Sequence, residues 1–141
     1  MILLDTNVVS EPMRLRPDRR VEDWLDAQAI ETLYLSTISL SELLLGIETL
    51  PTGKRRRALA AAVGDQIVGL FDSRIIPFDV AAAEAYAKIV VRARKQGHAI
   101  SVADGQIAAI AASRNLRMAS RDEAPFQAAG LTVINPWKSE P

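Results

Sequence analysis

Cysteine is absent from this 141-residue chain and histidine occurs once, as His98. The first absence excludes disulfides and thiolate metal sites, and the second excludes a His-rich zinc centre. Any metal bound here must take oxygen ligands, which points to Mg²⁺ or Mn²⁺. Aromatics are scarce at 5%, so Ala, Leu, Ile and Val must do the filling. Neither sign of charge is in excess, with 17 basic and 17 acidic residues and a formal net charge of +0. That balance neither supports nor excludes a polyanionic partner, because acids gathered in a site can mask a basic surface. No apolar run approaches the ~20 residues of a membrane span. The N-terminal apolar run has no basic residues before it and is too short for a signal peptide, so the expected location is the cytoplasm, with no membrane contact. Repeats, low-complexity tracts and dividing linkers are also missing, which makes residues 1–141 one expected domain with a core of its own.

What is present starts with Met1-Ile2-Leu3-Leu4-Asp5-Thr6-Asn7. Four apolar residues run straight into a carboxylate, the pattern of a short buried strand ending in a capping or functional turn. A short helix-prone piece, Val8 to Glu11, stops at Pro12. Asp18 is a plausible cap for a helix with Val21, Trp24 and Leu25 on its apolar stripe. Strand-forming types cover Thr32 to Ser36, Arg74 to Phe78, Arg117 to Ala119 and Leu131 to Ile134. Between them the spacing predicts helices over Ser39–Leu50, Lys54–Phe71, Asp79–Gln96 (with Ala83, Tyr86, Ile89, Val90 and Ala93 on one face) and Val102–Arg114. The last is apolar nearly all round and belongs in the core. Strands separated by helices predict right-handed crossovers: an α/β fold of three layers, α/β/α, with a central parallel sheet of four to five short strands.

Four acids sit where such a sheet collects chemistry. Ligands in open α/β sheets gather at the carboxyl ends of the strands, and Asp5, Glu42, Asp104 and Asp122 all fall at strand ends or first helical turns. A bland reading competes at each. Ser39-Leu40-Ser41-Glu42 and Ser101-Val102-Ala103-Asp104 fit the capping box, in which the serine caps and the acid bonds back. Asp5 and Asp122 also suit N-caps. Against that, caps are as readily Ser, Thr or Asn, yet all four positions are acidic. Crowded carboxylates raise one another's pKa unless a cation lies between them. Residue chemistry leaves both readings open.

Taken together, Leu3-Leu4-Asp5-Thr6-Asn7, Ser41-Glu42-Leu43 with Gly46-Ile47, Asp104-Gly105-Gln106-Ile107-Ala108-Ala109 and Ser120-Arg121-Asp122 resemble the motifs of PIN-domain nucleases, in order and over nearly the whole chain. The ending Val133-Ile134-Asn135-Pro136-Trp137 is similar to that of the FitB-like branch of the VapC toxins. Gly105 stands where Ala is more usual and Ser120 where Thr is common; neither change removes a carboxylate. The resemblance implies a Mg²⁺- or Mn²⁺-dependent ribonuclease that is the toxin of a type II toxin–antitoxin pair. It implies Asp5, Glu42, Asp104 and Asp122 as the metal-binding catalytic set, with Thr6, Asn7 and Ser101 in support, and products with 5′-phosphate and 3′-hydroxyl ends. It further implies an antitoxin with a ribbon-helix-helix DNA-binding part, and a homodimer.

Softer features stand beside these. Lys54-Arg55-Arg56-Arg57 opens a helix, where cations oppose the dipole. It reads as a solvated face or as a contact for RNA phosphates. Gly46, inside an apolar helix, reads as a close-packing position; Trp24 and Trp137 read as core or interface fillers. Two other functions compete. A haloacid-dehalogenase-like phosphatase also places Asp after its first strand but wants a second Asp where this chain has Asn7. A catalytically weak module that only holds its antitoxin and regulates the operon is the other.

Overall fold

The computed structural model describes residues 1–138, so the last three positions of the expected 1–141 domain lie outside the described residues. Five strands form one parallel sheet: β1 (Ile2–Leu4), β2 (Leu33–Ser36), β3 (Ile75–Ile76), β4 (Arg117–Ala119) and β5 (Val133–Ile134). Their order across the sheet is β3-β2-β1-β4-β5. β1 is therefore central, buried on both faces, which is why its sequence is apolar without alternation. Its neighbours β2 and β4 lie on opposite sides, so the chain reverses its direction of travel across the sheet between them. Clefts for ligands form at that reversal, outside the carboxyl ends of the strands.

Period-two alternation assigns the faces. Ile2 and Leu4 join Leu33, Leu35 and Ala119 in one core, under α1 (Thr6–Ser10), α2 (Arg19–Asp26), α3 (Thr37–Glu48) and α4 (Lys54–Ala62). Leu3 and Met118 join the opposite core, under α6 (Val80–Lys95), α7 (Val102–Ser113) and α8 (Glu123–Ala128). α5 (Gly69–Phe71) ends the α4 arm. The expected three layers with a parallel sheet are the observed architecture. α7 is the core helix its composition predicts, with Gly105 and Ile107 to Ala111 all buried. Gly97 ends α6 as expected: at φ +73° it lets His98 N–H reach Ala93 O (2.9 Å) and its own N–H reach Arg94 O (3.0 Å).

Several expectations are corrected. α1 begins at Thr6 rather than Val8, because Asp5 caps it from the strand end. α3 begins at Thr37 and is capped by Ser36, whose Oγ accepts from Ser39 N at 2.9 Å. β2 runs to Ser36, and the extended end of the strand is itself the cap residue. Ser39 therefore lies inside the first turn, buried, and its Oγ has no hydrogen-bond partner among the described residues. β3 covers only two of the five residues expected between Arg74 and Phe78. Pro77 brings no N–H to the ladder. In the first turn of α6 the buried alanine is Ala82 and Ala83 is exposed, while Ile89 and Ala93 are buried as expected. The helix expected over Lys54–Phe71 widens at Val63–Val68 into a π-helical turn, closed by Gly69 N–H on Gly64 O. Val63, Ile67 and Phe71 are all buried. At 100° per residue an α-helix would rotate positions four apart by about 40° at each step; the wider turn holds them in line over the core.

Candidate functional site

β1 and β4 pair in parallel with Leu4 opposite Ala119, so the next residues, Asp5 and Ser120, meet at the sheet edge. Asp5 N–H donates to Ala119 O at 2.9 Å. Its carboxylate is buried and held at both oxygens: Oδ1 accepts from Thr6 N at 2.8 Å and Oδ2 from the Ser120 hydroxyl at 2.7 Å. Burial, with smaller contributions from the charges of Asp104 and Glu42, pushes this carboxyl up from 3.8 to about 6, against the opposing pull of those hydrogen bonds.

A cleft of about 370 Å³ opens above it, lined by Asp5, Thr6, Asn7, Ser10, Glu42, Asp104 and Asp122. The four acids come from four separate segments: the end of β1, the second turn of α3, the first turn of α7, and the loop after β4. No lining residue is basic. The capping reading can be tested at each acid. Asp5 does cap α1, yet it also faces the cleft. Glu42 is six residues beyond the true cap of α3, too far to bond back to it; instead Oε1 accepts from Thr6 Oγ1 at 2.7 Å. Ser101 caps α7 by accepting from Asp104 N at 3.2 Å, but the Asp104 carboxylate accepts no hydrogen bond from any described residue, so the box is half made. Asp122 occupies the cap position of α8 with no side-chain cap bond. Two of the four carboxylates thus face the cleft without a partner among the described residues.

An oxygen-only donor set of this kind suits a hard divalent cation. Among the described residues no three acidic or histidine side chains close around one point tightly enough to cage an ion unaided. Like charges hold them apart, and Mg²⁺ keeps several waters and takes one or two carboxylates directly. A loose ring of acids around a polar cleft fits a hydrated Mg²⁺ or Mn²⁺.

Thr6 bridges two of the acids through its N–H and hydroxyl. Asn7 Oδ1 accepts from Arg121 N at 3.5 Å and ties α1 to the loop that carries Asp122. Ser101 does not line the cleft and acts only by capping the helix that presents Asp104. Lys54, Arg55, Arg56 and Arg57 lie outside the cleft: Arg56 pairs with Glu48 at 2.6 Å, and Arg55 Nη2 donates to Met13 O at 3.2 Å. Gly46 is not in close packing, since a Cβ there would meet nothing within 4 Å; it borders a groove beside the cleft. Ser120 and Ser10 were not among the expected site residues. Ser120 was legible in principle, because pairing the first strand with Arg117–Ala119 places it beside Asp5.

Gly105 has a local cause. A Cβ there would sit 2.8 Å from the Tyr86 ring, so glycine lets α6 close against the turn that carries Asp104.

Residues 2–131 match the PIN domain family. The chain is 46% identical to the VapC ribonuclease Y4jK of Sinorhizobium fredii over 98% of its length and 99% of that protein. It is 47% identical to toxin FitB of Neisseria gonorrhoeae over 97% and 99%. The crystal structure of FitAcB from Neisseria gonorrhoeae superposes with a TM-score of 0.95 at 46% identity, covering 99% of this chain and all of that one. The strand order alone does not separate this fold from a haloacid-dehalogenase-like sheet; these matches do, and they displace the phosphatase reading. The chain belongs to the PIN-domain family, in the company of VapC and FitB.

Proposed function

We propose that this protein is a Mg²⁺- or Mn²⁺-dependent endoribonuclease, the toxin of a type II toxin–antitoxin pair. The observation that carries this reading is the gathering of Asp5, Glu42, Asp104 and Asp122 from four segments around one cleft, with two carboxylates left without a partner among the described residues. The kinship with a VapC ribonuclease and with toxin FitB supports both the reaction and the role.

Asp5 and Asp104 would anchor the cation, with Glu42 and Asp122 completing the shell directly or through water. When bound, the cation supplies Lewis-acid stabilisation of phosphoryl charge and an acidified water for attack on phosphorus. The protein's part is to hold its acids in place. Thr6 N and the Ser120 hydroxyl orient both Asp5 oxygens, Thr6 Oγ1 fixes Glu42, and the Ser101 cap fixes the first turn of α7. Without a cation the same acids would repel a phosphodiester, so metal and substrate binding are coupled. This chemistry uses no ribose 2′-hydroxyl, so preference for RNA must come from contacts elsewhere on the surface.

The partner is a cognate antitoxin with a ribbon-helix-helix DNA-binding part, the active unit a homodimer, and the location the cytoplasm. No helix among the described residues is long and apolar enough to cross a membrane. The test incubates purified, antitoxin-free protein with transfer, ribosomal and messenger RNA in Mg²⁺ or Mn²⁺. Cleavage leaving 5′-phosphate and 3′-hydroxyl ends, lost in EDTA and in Asp104→Asn, is the expected result. No cleavage by the folded wild type would leave the antitoxin-binding module as the better reading.

A further inference from the structure

The acidic cleft is not isolated. Thr6, Ser10 and Glu42 also border a groove of about 350 Å³ between α1 and the α3–α4 arm, walled by Leu43, Ile47 and Leu59. The far end of that groove is Arg14 and Arg55, and these two, with Leu15 and Arg16, surround a further depression on the surface. Three concavities sharing residues thus form one continuous path from four carboxylates to three arginines. The stretch from Thr6 to Arg14 rises roughly 14 Å, taking its α-helical and 3-10 pieces in line.

Charge along the path is sorted. Arg14 is held at 3.4 Å by buried Glu11, so that pair is near neutral. Arg56 is taken by Glu48. Arg55 is oriented by the Met13 carbonyl, which leaves its charge uncompensated. Arg16 makes no hydrogen bond or ion pair with any described residue. The loop from Arg14 to Pro17 and the first turn of α4 therefore present two unneutralised guanidinium groups, Arg16 and Arg55, at the opposite end of the groove from the acids.

We propose that Arg16 and Arg55 contact phosphates of a single-stranded RNA that lies along this groove with its scissile phosphate at the acidic cleft. The inference rests on the ribonuclease reading and names the path the substrate takes. Guanidinium groups match phosphate oxygens in geometry and charge. The groove's walls are aliphatic, with no aromatic side chain for bases to stack on. Unpaired bases and sugars rest there on apolar surface, which predicts weak sequence preference within the groove. The same arginines repair the electrostatic fault of a cleft whose charged residues are all acidic: they attract the substrate that a metal-free cleft would repel.

The test measures binding of a fluorescein-labelled single-stranded RNA of mixed sequence, about a dozen nucleotides long, to the Asp104→Asn protein as salt is raised. Removing one phosphate-binding cation should flatten the plot of log K against log salt by about 0.7. Arg16→Gln and Arg55→Gln are each expected to do so, and their combination should flatten it by about 1.4. Arg94→Gln, on the opposite face of the sheet, should leave the slope unchanged. Arg16 has no hydrogen-bond or ion-pair partner among the described residues, so its variant reads binding and not folding. Unchanged slopes with intact wild-type cleavage overturn the path alone. Flattened slopes with a wild type that never cleaves uphold the path and overturn the nuclease reading. Unchanged slopes, together with an Arg16→Gln variant that no longer binds antitoxin, assign the groove to a protein and overturn the proposal.

Discussion

Replacing Asp5 with Asn should stabilise the metal-free protein at neutral pH, although it removes a carboxylate from the centre of the site. Asp5 is buried, and its carboxyl titrates near 6 in the fold against 3.8 in an unfolded chain. Below pH 3.8 the group is neutral in both states and contributes nothing. Between 3.8 and about 6 the unfolded chain releases its proton while the folded one keeps it, so stability falls as pH rises. Above about 6 the full difference applies. At about 1.36 kcal/mol per pH unit it comes to about 3 kcal/mol. The Asp5→Asn amide can still accept from Thr6 N and can donate to the Ser120 hydroxyl, which then turns toward the Asp122 carbonyl that it already faces at 3.3 Å. Thermal unfolding in EDTA from about pH 4 to 8 reads the effect. The variant should gain on the wild type as pH rises and lead by on the order of 10 °C at the alkaline end. Mn²⁺ should then raise the wild type and leave the variant unmoved. Parallel curves for the two proteins would mean instead that Asp5 carries no burial penalty.

Ser120→Ala removes the larger of the two hydrogen bonds that hold the Asp5 carboxyl down. It should steepen the decline of stability with pH in EDTA and reduce RNA cleavage, with a cost of about 1–3 kcal/mol at alkaline pH by thermal unfolding. Ser36→Ala should cost about 1 kcal/mol, the usual worth of a helix cap. Ser39→Ala, compared with Ser36→Ala by denaturant titration, should be neutral or stabilising, since its buried hydroxyl has no partner among the described residues. Gly105→Ala should cost about 1–3 kcal/mol by overpacking against Tyr86. In a double-mutant cycle Tyr86→Leu should cancel much of that cost.

The sequence was most informative where chemistry interrupts hydrophobicity. An apolar run broken by Asp5 marks a strand end, and parallel strands bring their ends to one edge, so the gathering of acids was foreseeable. Whether Glu42 caps or faces the cleft was not, because it depends on where β2 stops. Ser36 and Ser39 are equally good caps as residue types, and three positions separate a first-turn acid from a second-turn one. The meeting of Ser120 and Asp5 follows once β1 is paired with β4, but no single stretch of sequence announces that pairing. The π-helical turn left no mark because Val63, Ile67 and Phe71 satisfy an ordinary helical pattern. The groove that links Thr6 to Arg55 joins segments far apart in the chain, so no local pattern announces it. Composition confines any metal to oxygen ligands, yet does not reveal that the acids stay too far apart to cage one unaided.

If these acids form a cation site and are not merely helix caps, the protein should bind a divalent ion through them. Mn²⁺ titration followed by electron paramagnetic resonance, on the wild type and on folded Asp104→Asn and Asp122→Asn, tests it most directly. The expected result is saturable binding by the wild type, weakened in both variants, with Mg²⁺ competing for the same site. Binding that is absent from the wild type, or unchanged in both variants, would contradict it and return the carboxylates to capping.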